Sequence, residues 1–354
     1  MPADSRKGTP FLVAVLLLLA AGTASAQLEV TELRFNRPPA SLSDTLRSLQ
    51  SLTKVQGTGQ FCEDGLYLMT HFGDREDLFQ KANQEAMDHP LANQTWRHCS
   101  LFSTTGGGSV LMGRNWDNQN VGSVIASLYE PPEGYASISF TRSIDMGFGH
   151  KDLEHHKSSE FGRMLLMAPF HAYDGINERG LAVGVAGVAP VAVKPRAGKE
   201  RIYVPFLVRK ILDQTQNTGE AAALVEGYVP FDIDASSLNT HFFVVDASGK
   251  SVVLEYVHDK WKRTYGSDAW QVLTNRDVHA VPDADLRAKC WRYRGIAEAL
   301  ENSDGRVGWE GCLGLLRGTS QKGTTWSVVY SLTSRELHFS VYQDWDTVYH
   351  LAAP

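Results

Sequence analysis

The sequence predicts a layered domain, α+β or α/β, built on largely antiparallel sheets. Three observations point there. Hairpin patterns recur from Cys99 to Tyr342, helical patterns fall between blocks of strands, and 43% hydrophobic with 10% aromatic residues suffices for an ordinary globular core.

The first element is an export signal. Arg6 and Lys7 precede an apolar run from Phe11 to Ala21, and Ala24-Ser25-Ala26 supplies the small residues of a cleavage site. Residues 1–26 are expected to be removed before Gln27, leaving about 328 residues in a secreted or periplasmic chain. The run is shorter than the roughly 20 residues a membrane span needs, and later apolar stretches are broken by charge or glycine, so no span is expected. A net charge of -6 with no basic run argues against a nucleic-acid partner.

Residues 27–98 differ in character. Leu42, Leu46, Leu49 and Leu52 recur at helical spacing, and a second helix fits Asp74 to Met87, stopped before Pro90. From Cys99 the pattern turns to strands, with two runs flanking Gly106, Gly107 and Gly108 as in a tight hairpin. A strand from Tyr135 to Phe140 follows, then a turn at Asn177 to Gly180 and an apolar run from Leu181 to Val188. Val204 to Gln214 reads as a buried helix, and another begins at Thr218 with Glu220 in its first turn, where a negative charge suits the dipole. His241 to Asp246 and Ser251 to Val257 form a hairpin, Trp270 to Thr274 a strand ending at Asn275. A helix is expected from about Asp283 to Glu301, and a last hairpin pairs Thr325 to Leu332 with Leu337 to Tyr342.

Four cysteines, Cys62, Cys99, Cys290 and Cys312, are too few for a disulfide scaffold, and the sequence leaves pairing of Cys290 with Cys312 open. If Cys99 must remain a thiol, the other three cannot all pair, so one of them should be buried and inert.

A hairpin centred near Gly107 pairs residues whose numbers sum to 214 or 215, placing Cys99 opposite Asn115 or Trp116. Arg114 and Asp117 return to the cysteine's neighbourhood, though alternation puts them on opposite faces unless a bulge or strand end intervenes near Trp116. An adjacent Arg stabilises a thiolate, and an Asp can orient the base that takes its proton. His98 is the local candidate base. Cutting between His98 and Cys99 supplies another, the new α-amine, with an ordinary pKa of about 8.

These residues carry a resemblance. Cys99-Ser100, Gly113-Arg114-Asn115-Trp116-Asp117, Asp174-Gly175-Ile176-Asn177-Glu178-Arg179-Gly180-Leu181-Ala182-Val183, Leu273-Thr274-Asn275 and Arg292-Tyr293-Arg294 stand in the order that resembles the choloylglycine hydrolase family of linear-amide C–N hydrolases. That family includes bile salt hydrolases and penicillin V acylases and is related to the acid ceramidase and penicillin acyltransferase groups. The resemblance implies a four-layer αββα sandwich of N-terminal-nucleophile type over 99–354, matured by cleavage before the cysteine. Cys99 is then nucleophile and, through its α-amine, general base, with Asp117 holding the amine and Arg114 supporting the thiolate. Asn275 donates its side-chain N–H to the oxyanion, the backbone N–H at or next to Gly187 is the second donor, and Arg292 completes the polar cluster. Bile salt hydrolases often carry Asn where this chain has Gly187.

The implied substrate is a small N-acyl amide, with no cofactor and no metal. Relatives are often tetrameric, which allows a homo-oligomer. About 72 residues precede Cys99 in the exported chain, whereas many bacterial penicillin V acylases place the cysteine directly after the signal. Long pro-segments occur in the acid ceramidase and acyltransferase groups, some retained as a subunit, and 27–98 is expected to act likewise as a helical pro-segment bound to the catalytic domain. The same scaffold supports an acyltransferase or an unprocessed binding protein for amphipathic ligands.

Simpler roles stand beside these. Cys99 alone reads as a core thiol, Arg114 and Asp117 as a surface ion pair, Asn275 as a turn cap, and Arg292 as a solvated charge with Arg294 its rival. His150, Asp152, Glu154, His155 and His156 lack the spacing of a metal motif and read as solvated loop. Asn93-Gln94-Thr95 fits a glycosylation acceptor, a pattern that arises often by chance.

Overall fold

The structure, a computed structural model, describes residues 28–56, 64–88, 99–118, 122–157, 160–232, 237–266 and 269–354. The expected signal peptide, Cys62, Asn93 to Thr95 and the His98 side of the expected cut lie outside them.

Before Cys99 the chain forms β1 (Glu29–Glu32), α1 (Asp44–Ser51), β2 (Thr53–Gln56), β3 (Leu66–Phe72) and α2 (Glu76–Asp88). Next come β4 (Ser100–Thr104), β5 (Leu111–Asp117), β6 (Val124–Glu130), β7 (Ser137–Arg142), β8 (Asp174–Asn177) and β9 (Ala182–Ala192). The middle holds β10 (Glu200–Tyr203), α3 (Val204–Gln214), α4 (Thr218–Leu224), β11 (Tyr228–Phe231), β12 (Ser237–Val245), β13 (Ser251–Val257), β14 (Lys260–Tyr265) and β15 (Trp270–Leu273). The chain ends with α5 (Asp283–Lys289), α6 (Trp291–Asn302), α7 (Trp309–Gly318), β16 (Thr324–Ser331), β17 (Glu336–Val341) and β18 (Thr347–Ala352). Among the described residues no helix is long and apolar enough to cross a membrane.

Two large sheets result. A seven-stranded sheet runs β1-β18-β17-β16-β5-β4-β15, and a nine-stranded one runs β14-β13-β12-β9-β8-β7-β6-β3-β2. They pack face to face. Gly184 of β9 sits so close to the hairpin that a Cβ there would lie 2.7 Å from Leu101 and 2.9 Å from Met112, which is why the position has no side chain. Alternation along β4 and β5 sends Leu101, Met112 and Trp116 into the core between the sheets, while Phe102 and Leu111 join Ile296, Leu300 and Leu316 of α6 and α7 on the outer face. On the far side of the nine-stranded sheet, Asn177 donates to the carbonyls of Leu212 (2.8 Å) and Thr215 (2.8 Å) at the end of α3. Helices thus cover both outer faces, the αββα sandwich that the resemblance implied.

The segment before Cys99 is not purely helical. Its two helices are present, but β1 pairs in parallel with β18 at the edge of one sheet, and β2 and β3 extend the other. Every residue of β3 is buried, so its run Leu-Tyr-Leu-Met-Thr-His-Phe shows no alternation that would mark a strand. The helix expected from Asp283 to Glu301 is two helices, broken at Cys290, whose φ of -134° and ψ of 107° are extended. Cys290 and Cys312 do not pair. Burial pushes the Cys312 thiol up to about 12, making it the inert cysteine.

Candidate active site

The β4–β5 register sets Ser100 opposite Asn115, so Cys99, one residue before β4, falls opposite Trp116. The connection is longer than a tight hairpin turn. Thr104 pairs with Leu111, and the intervening loop packs on the turn after α6: a Cβ on Gly106 would lie 2.3 Å from the Asp304 carbonyl. Cys99 is fully buried, in the core between the sheets.

Arg114 is also fully buried and reaches across to the other sheet, donating to the Val185 carbonyl of β9 (3.0 Å) and forming an ion pair with Asp174 of β8. Asp174 accepts further bonds from Trp326 Nε1 (3.1 Å) and the Tyr330 hydroxyl. Burial pushes the Asp174 carboxyl up, and the Arg114 charge beside it opposes that. The Arg114 guanidinium lies 4.8 Å from the Trp116 ring centroid, and its Nη2 is buried without a hydrogen-bond partner. The surface ion pair between Arg114 and Asp117 is therefore not what forms.

Asp117 ends β5. A bulge lies beside it on the neighbouring strand, where Thr324 of β16 faces Asp117 and Trp326 faces Trp116, with Thr325 skipped. The carboxylate accepts from Gln321 Nε2 (2.8 Å) and the Thr324 hydroxyl. Burial raises the Asp117 carboxyl to about 6, with Thr324, Gln321, Arg292 and Arg114 pulling it back. A carboxyl raised on folding favours the folded state while protonated, and that advantage fades as pH climbs from the unfolded value of 3.8 to about 6. In an uncut Cys99→Ala background, stability should fall across this window by on the order of 3 kcal/mol from Asp117 alone. Adding Asp117→Asn should remove that fall; denaturant unfolding at pH 4 and 7 checks it, and parallel behaviour of the two proteins contradicts it.

Arg292, in the first turn of α6, is buried, whereas its rival Arg294 is exposed. Its Nη1 donates to the Cys99 carbonyl and to Ser100 Oγ (3.0 Å), and its Nη2 donates to Asn275 Oδ1 (2.7 Å). Asn275 Nδ2 in turn donates to the carbonyl of Gly187 (2.7 Å). The structure thus links Cys99, Arg292, Asn275 and Gly187 in one chain of bonds. These two bonds of Asn275 reach residues distant in sequence.

The sequence did not single out Asp174 as a partner of Arg114, nor Ser100, Gln321 and Thr324. Asp174 heads the Asp-Gly-Ile-Asn motif, the one signal that could have drawn attention to it. The His150 to His156 stretch is engaged elsewhere, with Asp152 bonded to Lys54 (2.9 Å) and Tyr67 (3.0 Å) and His150 Nδ1 2.9 Å from Asp64. Among the described residues the one group with metal-ligand proximity is His241, Glu255 and Asp277.

Linear amide C–N hydrolases of the choloylglycine hydrolase family match residues 99–302, a match that starts at Cys99. Among solved structures, a variant of conjugated bile acid hydrolase from Clostridium perfringens superposes with a TM-score of 0.52 at 15% identity, covering 72% of this chain and 92% of that one. Penicillin V acylase from Agrobacterium tumefaciens gives 0.49 at 16% identity, covering 72% of this chain and 86% of that one. A search of curated proteins found no match.

Proposed function

The chain belongs to the linear amide C–N hydrolases of the choloylglycine hydrolase family, and from this premise we propose that it is an exported cysteine amidohydrolase activated by self-cleavage between His98 and Cys99. The new α-amine takes the thiol proton, and the thiolate attacks the carbonyl of a small N-acyl amide. Negative charge on the carbonyl oxygen is met by Asn275 Nδ2–H and the backbone N–H at Gly187, which requires Asn275 to exchange its bond to the Gly187 carbonyl for one to substrate. The amine leaves with the proton from the α-ammonium, and water then releases the acid from the thioester. Buried Arg114, with Nη2 still unbonded, lends positive charge to the site.

The observation carrying this reading is the Arg292 guanidinium, which ties the backbone carbonyl of the nucleophile to the carboxamide of the oxyanion donor. The test is a panel of N-acyl amides, including penicillin V, conjugated bile acids and fatty acyl amides, scored for released amine with and without an added amine acceptor. Release of both acid and amine supports hydrolysis; transfer to the acceptor alone points to the acyltransferase; no reaction with any member, and none with a thiol-directed inhibitor, contradicts the enzyme.

A second expectation concerns the segment before the cut. Because β1 and β3 are members of the two sheets, the cleaved segment cannot leave without exposing both edges. It should co-elute with the catalytic chain in native size-exclusion chromatography and separate in denaturant. An active catalytic chain eluting alone contradicts this.

A further inference from the structure

His241 of β12 stands between two carboxylates, and the arrangement holds the loop that carries Asn275. Its Nδ1 is 3.3 Å from Glu255 Oε1 on β13, and its Nε2 is 3.3 Å from Asp277 Oδ1 in the loop after β15. The register that sets Phe242 opposite Leu254 brings His241 to Glu255, and on its other side β12 sets His241 opposite Ala186 and Thr240 opposite Gly187. Glu255 is fully buried and accepts the backbone N–H groups of Val278 (3.0 Å) and His279 (2.8 Å). Three consecutive loop residues, starting two after Asn275, are therefore fastened to β12, which pairs with the strand of Gly187, and to β13 beyond it.

We propose that His241 is a positioning residue, bridging Glu255 and Asp277 so that the loop presents Asn275 to the oxyanion beside Gly187. The inference rests on Asn275 being the oxyanion donor. Nδ1 approaches Glu255 at ion-pair distance without a hydrogen bond, while Nε2 faces Asp277. Asp277 is drawn below the usual carboxylate range by its bond to His241. The groups facing the ring are Glu255 and Asp277, and Tyr256 lines the same cavity of about 40 Å³ with Val188, Leu238 and Thr240. A single metal ion fits this set poorly. The imidazole turns different nitrogens to the two acids, and both Glu255 oxygens already accept backbone donors.

The test compares the mature wild-type enzyme with His241→Gln, which keeps one donor and the bulk of the ring. Loss of a group that orients a reacting residue costs about 10- to 100-fold, so kcat should fall by that range while KM stays within about twofold. Alkylation of Cys99 by iodoacetamide should keep its rate. If His241→Gln does not fold, Asp277→Asn, altering a half-exposed side chain, should show a smaller drop of the same kind. Wild-type kcat in a folded variant overturns the inference. So does stoichiometric metal in the purified protein that His241→Gln removes. A wild-type enzyme that releases no amine from any amide overturns the amidohydrolase reading instead.

Discussion

Cys99→Ala should accumulate as a full-length chain that is neither cut nor active. The same sulfur is required for the self-cleavage and for turnover, so its loss removes both together, and knocking out the nucleophile of a hydrolase costs roughly 10⁶ in kcat. Folding should survive. The Cys99 carbonyl, which Arg292 holds, belongs to the backbone and is unchanged, and removing one buried sulfur costs about 1 kcal/mol. Intact mass and amide turnover check the pair of outcomes. A Cys99→Ala protein that still splits before residue 99, or still releases amine at the wild-type rate, contradicts the assignment.

Asn275→Ala should separate the two events that Cys99→Ala joins. Removing one oxyanion donor costs on the order of 10² to 10³ in rate, without abolishing the nucleophile. Arg292 keeps its bonds to Ser100 and the Cys99 carbonyl after the change, while the bonds of Asn275 to the guanidinium and to the Gly187 carbonyl are lost, so the stability loss should be about 2 to 4 kcal/mol. The variant should therefore fold, cut at least slowly, and turn over amide 10² to 10³ more slowly than wild type, with the loss mainly in kcat. Single-turnover kinetics on the cut protein measure it, and an unchanged kcat contradicts the oxyanion role.

Much of the fold was readable because the signals are local. The helix Val204–Gln214 has the bounds its apolar spacing and the proline in its first turn predict, and the next helix starts where Asn217 caps it. The register of the first hairpin followed from the glycines alone, although the turn itself is longer than they suggested. What escaped depends on partners far along the chain. β1 and β3 are strands because β18 and β6 accept them, 318 residues away for Glu29 and Thr347 and 58 for Leu66 and Val124. The same holds in the site. Asp117 is held by Gln321 and Thr324, and Arg114 finds its acid on the opposing sheet, partners that alternation along one strand cannot reveal. The bridge of His241 to Glu255 and Asp277 likewise assembles from three separate elements.

The central claim is that Cys99 becomes a chain terminus before it becomes a catalyst. Intact mass and N-terminal sequencing of a sample that is releasing amine test it most directly. The account predicts two chains, the larger beginning Cys-Ser-Leu-Phe and reacting through that first residue with a thiol-directed inhibitor. One uncut chain in a fully active sample would contradict it.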